Sequence, residues 1–100
     1  NPNELFPGVN VTPLTNEARR RLGIVDPRIG GLLITDIAED SPFRERLAPD
    51  VVIIEMNRRP VPDLAAAKAA LKPPGENNLL AVYFRGQIRF AVITVPPAGR

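Results

Sequence analysis

Few side chains in this 100-residue sequence could act as nucleophiles. Ser41 is the only serine, and the chain contains neither histidine nor cysteine. A serine or cysteine nucleophile paired with histidine is therefore impossible. Ser41 precedes Pro42, and this pair is typical of a helix start, because the hydroxyl caps the helix and the proline ring supplies the first helical φ. We predict that Ser41 is a capping residue and that this chain has no catalytic residue.

The acidic and glycine-rich segments do not match a metal or cofactor motif. A zinc site would need several cysteine or histidine ligands, and the chain has none. Asp36, Glu39 and Asp40 lack the spacing of a calcium-binding loop and are better interpreted as a solvated turn. Gly30-Gly31 lacks the spacing of a dinucleotide or phosphate loop. No pair of carboxylates stands out as a catalytic pair, and we expect no cofactor.

The charge and hydropathy patterns argue against nucleic acid and membrane as partners. Thirteen Lys and Arg against 11 Asp and Glu give a net charge of only +2. The basic cluster at residues 19–21 is interpreted as a solvated helix face, since no aromatic residues alternate with it to stack on bases. The longest apolar runs, such as residues 51–54 and 65–67, are far too short to span a bilayer. We expect neither nucleic-acid binding nor membrane insertion.

Alternating or continuous apolar residues predict six strands. The first is short, and Pro13 restricts it to an edge or an end of the sheet. An edge strand keeps unpaired backbone groups that a guest strand could use. The last two strands are joined by Arg85-Gly86, which favours a β-hairpin. The final strand should place Ile88, Phe90 and Val92 on one face. The predicted strands are residues 9–11, 32–37 (central), 51–56, 59–61, 79–84 and 87–95.

Capping residues predict three short helices. Thr15 begins a helix over residues 16–22 that Gly23 ends. Ser41 begins the second, over residues 42–47. Asp63 begins the third, over residues 64–72, which Pro73-Pro74-Gly75 stops. Strands outnumber helices and no regular βαβ run appears, so the pattern indicates an α+β fold, with helices on the openings of a small, partly closed sheet.

The third predicted helix carries a narrow apolar face made of small residues. Leu64, Ala67, Lys68 and Leu71 share this face by their spacing of three and four. Such a helix can pack close to a sheet and still leave a shallow groove. For Leu71, plain core packing is favoured. For Leu64 and Lys68, a place in the groove and an ordinary structural role both stay open.

The most specific segments of the chain are, in order, a Gly-led strand, a Ser-Pro helix start, a turn in the place of a Pro-Gly-Asp turn, a strand that ends in Asn, and a Pro-Val pair before the third predicted helix. This ordered set resembles a PDZ domain of the bacterial type, and more narrowly the C-terminal PDZ domain of HtrA/Deg (Do-like) serine proteases. Residues 12–23 narrow the resemblance to the protease-associated type. The segments are residues 31–37, 40–42, 47–49, 52–61, 64–71 and 85–86.

The resemblance implies a PDZ-like fold, a five- to six-stranded partly open β-barrel or sandwich with two to three short helices. Residues 6–95 would form the PDZ domain, residues 1–5 an N-terminal linker and residues 96–100 a C-terminal tail. We expect the chain to be an excised part of a longer protein. The family's Pro-Gly-Asp turn reads Pro49-Asp50-Val51 here, and the turn can survive because Asp tolerates positive φ better than most residues.

The resemblance also implies a ligand-binding site. In the family a Gly-Leu-Gly-Phe-like loop holds the ligand's C-terminal carboxylate with backbone N–H groups, and Phe6-Pro7-Gly8-Val9 is the matching segment. Pro7 has no N–H, so one donor is lost, and Glu4 just upstream should repel an anion. The implied peptide-binding residues are Phe6, Pro7, Gly8, Val9, Asn10, Val11, Leu64, Ala67, Lys68 and Leu71.

Two functions follow from these expectations. In the first, the chain is a peptide- or protein-binding PDZ module, the regulatory or substrate-recognising part of a periplasmic or cell-envelope HtrA/Deg-type serine protease in protein quality control, and it binds an extended or C-terminal apolar segment by β-strand addition. In the second, it is a structural or assembly domain for neighbouring domains or subunits, with a vestigial groove. In both, the catalytic triad of the parent serine endopeptidase lies in another domain.

Overall fold

One antiparallel sheet and two helices make up the fold. The structure is a computed structural model that describes residues 3–96. The sheet order is β1-β2-β3-β4-β6-β7, and β5 pairs with β4 outside this path. The elements in chain order are β1 Glu4–Phe6, β2 Val9–Pro13, α1 Asn16–Leu22, β3 Leu32–Ile37, β4 Val52–Met56, β5 Arg59–Pro60, α2 Leu64–Ala70, β6 Asn77–Phe84 and β7 Gln87–Thr94.

The predicted α+β class is confirmed, and the sheet has one strand more than expected. Residues 4–6 form β1, which the sequence pattern did not indicate. The domain boundary predicted at residue 6 stays a prediction, although Glu4 and Leu5 already lie in the sheet. Most of the predicted tail, like residues 1 and 2 of the predicted linker, lies outside the described residues. Neither helix of residues 3–96 is long and apolar enough to cross a membrane.

The central strands bury both of their faces. Ile53 faces the main core cluster, which draws residues from six of the strands and from α2, whereas Val52 faces a second cluster with Ile24 and Ile29. Both Val52 and Ile53 are fully buried. The two faces of β4 therefore serve different clusters, because the sheet is covered on both sides at this strand.

The helix caps follow the local sequence closely. The Thr15 hydroxyl accepts a hydrogen bond from the Ala18 N–H at 3.1 Å, and Gly23 ends α1 with φ 71°. The Asp63 carboxylate accepts one from the Ala66 N–H at 2.8 Å. Helix α2 ends at Ala70, two residues earlier than predicted, since a proline at position 73 disfavours helical backbone in the residue before it.

The predicted helix over residues 42–47 is wrong. This segment forms consecutive turns, with a single bond of the α-helical type, from the Leu47 N–H to the Phe43 carbonyl at 2.9 Å. Pro49 disfavours helical backbone at Ala48, so the segment ends before a second turn of helix can form. Phe43 and Leu47 are both buried in the main cluster, and the packing of these two side chains holds the turns in place.

The basic cluster of α1 is only partly the solvated face that was expected. Arg19 is half-buried, and its guanidinium donates to the carbonyls of Asp26 (3.3 Å) and Ile29. Arg21 forms an exposed ion pair with Asp50 at 3.3 Å. Asp50 itself has φ 73°, so the turn that reads Asp in place of Gly keeps the left-handed backbone. Arg19 thus fixes the loop that leads to β3.

Candidate functional site

The loop that was compared with a carboxylate-binding loop is a tight turn between β1 and β2. Pro7 and Gly8 occupy its two central positions, and Gly8 has φ 79°. Proline followed by a residue with positive φ is the pattern of a type II β-turn. The Gly8 N–H and the strand that begins at Val9 are therefore held in one orientation relative to each other.

Ser41, which is distant along the chain, holds this turn by direct contact. Its hydroxyl donates to the Pro7 carbonyl at 2.7 Å and accepts from the Phe43 N–H at 3.2 Å. The Ala38 N–H donates to the Gly8 carbonyl at 2.8 Å. A Cβ atom on Gly8 would lie only 2.7 Å from the Ser41 Cβ. Ser41 is thus a capping residue, as predicted, but it caps a turn and braces the Pro7-Gly8 loop.

The Glu4 carboxylate is hydrogen-bonded to a backbone N–H of the loop. Its Oε2 accepts a hydrogen bond from the Gly8 N–H at 2.5 Å, in a half-buried setting. A hydrogen bond from a backbone amide to an ionised carboxylate is among the stronger kinds in proteins. The sequence-based expectation was only that Glu4 repels an incoming anion. It did not foresee that the Glu4 carboxylate accepts a hydrogen bond from the Gly8 N–H. The Gly8 N–H is therefore already hydrogen-bonded to a carboxylate of the same chain.

Strand β1 covers the side of β2 that faces away from β3. Glu4 pairs with Asn10 and Phe6 with Val9, and the Val11 N–H donates to the Asn3 carbonyl at 2.9 Å. Residues 9–11 of β2 therefore have a neighbour on both sides, so they are not the open edge that was expected, whereas Pro13 does lie at an end of the strand, the other position that was predicted for it. The reason is burial, because Leu5 and Phe6 retain only 7% and 1% exposure and draw β1 into the core.

The apolar side chains between β2 and α2 form one packed cluster. Ala67 is fully buried, Leu64 and Leu71 are half-buried against the cluster, and Lys68 is exposed. The same cluster contains Leu5 and the three buried loop and strand residues Phe6, Val9 and Val11. The Phe6 ring lies 5.3 Å from that of Phe43. The apolar members of the predicted site are thus brought together in one cluster, and Leu5 of β1 belongs to the same cluster.

The polar residues of this region hold the strands rather than line a cleft. The Asn10 amide donates to Asp36 Oδ2 at 3.1 Å, and the Thr35 hydroxyl donates to the Asn10 carbonyl at 3.2 Å. The Asn10 amide oxygen is enclosed and finds no hydrogen-bond partner within residues 3–96. Asn10 therefore ties β2 to β3 through its side-chain amide and its backbone carbonyl.

Two asparagines that sequence reasoning did not assign to the site position α2. Asn57, with φ 54°, donates to the Ala70 carbonyl at 2.8 Å and to Asn78 Oδ1 at 2.9 Å. Asn78 is fully buried, and its Oδ1 also accepts from the Lys72 N–H at 2.9 Å. These bonds satisfy the C-terminal end of α2, where carbonyls lack helical partners. The only sequence feature that pointed to these residues was the asparagine that follows β4, Asn57.

Comparison with known proteins supports the fold assignment. The sequence matches no protein-family model and no curated protein. Its structure is similar to that of an HtrA-type protease, AlgW, solved with a decapeptide, with a TM-score of 0.73 and 24% sequence identity. The match covers 93% of this chain and 29% of that protease chain, so this chain spans less than a third of the protease's length. The α+β sheet described above is therefore a PDZ-like fold, shared with an HtrA-type protease.

Proposed function

We propose that this chain is a PDZ-like module that binds an extended polypeptide segment by adding it as a strand to β2, beside α2. One observation carries the proposal. The side of β2 that faces away from β3 already accommodates a short antiparallel segment, residues 3–6, and the adjoining loop already accommodates a carboxylate, that of Glu4 on the Gly8 N–H. The chain's own segment has the direction and the chemistry expected of a guest in strand addition.

The position of β1 indicates what a guest would have to replace. Strand β1 runs towards the Pro7-Gly8 turn, so a guest in its place would bring its C-terminus to the Gly8 N–H. The side chain in the place of Leu5 would be apolar, since Leu5 lies in the cluster that contains Ala67. Phe6 is fully buried and would stay in the core when a guest segment binds. The preferred ligand is therefore an apolar segment with a free C-terminal carboxylate, and it competes with residues 3–5.

The second candidate, a structural or assembly domain, is favoured by a different observation. Leu5 is only 7% exposed, and residues 9–11 of β2 are already paired with the chain's own residues 3–6 on the side away from β3, which leaves less of this strand for a partner. If β1 never leaves, the groove is vestigial and the module acts through other surfaces. Whether β1 can be displaced separates the two candidates.

The proposal extends to the parent protein. A chain that spans 29% of an HtrA-type protease and shares its fold is suited to be one domain of such an enzyme. We propose that the parent is a serine endopeptidase of the HtrA/Deg type in the periplasm or cell envelope, acting in protein quality control, with its triad in another domain. The module would then recognise substrate segments or regulate the protease.

A calorimetric titration tests the binding proposal. An apolar peptide is titrated with a free and with an amidated C-terminus into the wild type, the Glu4→Gln variant, and a chain that lacks residues 1–5. Removal of the Glu4 charge weakens an internal competitor, and a charge-assisted hydrogen bond contributes about 1.5–3 kcal/mol. We expect both variants to bind the free C-terminus roughly tenfold or more tightly than the wild type, with little change for the amide.

The control is Glu76→Gln, an exposed carboxylate in a turn, which should leave affinity unchanged. Leu64→Lys should weaken binding by about 1–3 kcal/mol, the value of burying one aliphatic side chain, whereas Lys68→Ala should matter less, because that ammonium is exposed. If neither Glu4→Gln nor the truncation increases affinity for the free C-terminus while circular dichroism reports an intact fold, the assembly candidate replaces the binding module.

A further inference from the structure

The side chain of Asn10 carries an enclosed acceptor that lacks a donor. Its amide nitrogen donates to Asp36 Oδ2 at 3.1 Å, and this bond determines the orientation of the amide, because the reverse orientation would place two oxygens together. The Asn10 Oδ1 is enclosed and accepts no hydrogen bond within residues 3–96. An enclosed acceptor without a donor is costly, and native structures usually satisfy such groups. The site next to β2 is therefore one donor short.

The residue that lies opposite Asn10 cannot supply this donor. Glu4 is the partner of Asn10 across β1 and β2, and the side chains of directly opposed residues are neighbours on one face of a sheet. An ionised carboxylate has acceptors only. That of Glu4 is hydrogen-bonded to the Gly8 N–H. Glu4 therefore satisfies the loop amide and leaves the Asn10 Oδ1 without a partner.

A guest segment with a free C-terminus would divide these two tasks between two groups. Its terminal carboxylate would accept from the Gly8 N–H, and its last side chain would take the place of Leu5. The penultimate side chain would then take the place of Glu4, opposite Asn10, and could donate to the Asn10 Oδ1. On the basis of the strand addition proposed above, we propose that the guest carries a basic penultimate residue, lysine or arginine.

The charges around this position favour a cation over a neutral donor. Asp36 is exposed, and its carboxylate accepts from the Asn10 amide. The acidic residues 39 and 40 are exposed in the turn that follows, and the Ala38 N–H next to them donates to the Gly8 carbonyl at 2.8 Å, which brings this turn to the loop. Within residues 3–96 none of these three carboxylates forms an ion pair. Their attraction for a cation adds to the hydrogen bond.

Calorimetric titration with two peptides of equal composition tests the proposal. Both are apolar with a free C-terminus; one has a penultimate lysine and a methionine three positions earlier, and the other has these two residues exchanged. The wild type should bind the first about tenfold more tightly, the effect of a hydrogen bond with one charged partner. In Asn10→Ala this preference should fall to about two- or threefold. Asn16→Ala, at an exposed asparagine of α1, is the matched control and should keep it.

The Asp36→Asn variant separates the charge from the hydrogen bond. Asparagine keeps an acceptor for the Asn10 amide and removes the charge, so the preference should fall only in part and depend less on salt. Each preference is a ratio measured on one protein, so a loss of stability that weakens both peptides equally does not change it. Equal affinities in the wild type, or an unchanged preference in Asn10→Ala, would overturn this inference and leave strand addition standing. If neither peptide binds, strand addition fails, and this inference fails with it.

Discussion

The two outer strands of the sheet, β1 and β7, carry similar apolar residues, but those of β1 are buried and several of those of β7 are exposed. At one edge Phe6 is 1% exposed, and at the other Phe90 is 70% exposed. Over β1 the structure places α2 and the turns of residues 42–47, whose Phe43 ring contacts Phe6. On β7 the side chains of Ile88, Phe90 and Val92 stay about half or more exposed, and the turns reach this strand through the Arg46 guanidinium on the Val92 carbonyl. An apolar strand therefore becomes core or surface according to what other parts of the chain bring to it.

The largest expected difference concerns the two phenylalanines. Phe6→Ala should lower the free energy of unfolding by about 3–5 kcal/mol, because it leaves a cavity in the main cluster. Phe90→Ala should change it by no more than about 0.5 kcal/mol, since most of the ring is already in water. Urea unfolding of both variants measures this contrast. Equal losses would mean that the β7 edge is covered and that the two edges do not differ.

The two hairpin turns provide the next comparison. Gly8 and Gly86 have φ of 79° and 84°, so alanine at either site should cost about 1–2 kcal/mol for the left-handed backbone. At Gly8 a Cβ would also lie 2.7 Å from the Ser41 Cβ, whereas at Gly86 it would meet no atom within 4 Å. We expect Gly8→Ala to cost about 1–3 kcal/mol more, the usual cost of overpacking. Thermal or urea unfolding that ranks Gly86→Ala as the more harmful change would contradict the braced-turn description.

The smallest contrast is between two polar contacts that reach the edges. Ser41→Ala removes the bond to the Pro7 carbonyl and the acceptor for the Phe43 N–H, and it should cost about 1–2 kcal/mol. Arg46→Ala removes an exposed, long bond to the Val92 carbonyl and should cost no more than about 0.5 kcal/mol. Amide hydrogen exchange should then rise in the β1–β2 hairpin of Ser41→Ala only. Faster exchange in β7 of Arg46→Ala would show that this side chain protects the open edge.

The candidate site could be predicted in its parts but not in its occupancy. The family resemblance identified the Pro7-Gly8 loop, and the sequence pattern identified the strand after it and the helix that begins at Leu64, because strand alternation and helix caps act over a few positions. It did not identify β1, since Leu5 and Phe6 form an apolar pair too short for a strand pattern. It also treated Glu4 as a repelling charge, whereas the hairpin brings this carboxylate onto the Gly8 N–H.

By itself the sequence determined the features that local chemistry controls. These include α1 between Thr15 and Gly23, the bounds of β3, and the hairpin at Arg85-Gly86. Only the tertiary structure decided that residues 42–47 form turns and that Phe90 stays exposed while Phe6 is buried. The physical reason is the range of the forces: capping bonds and turn conformations involve neighbouring residues, whereas burial depends on elements that are distant along the chain and meet only when the sheet has formed.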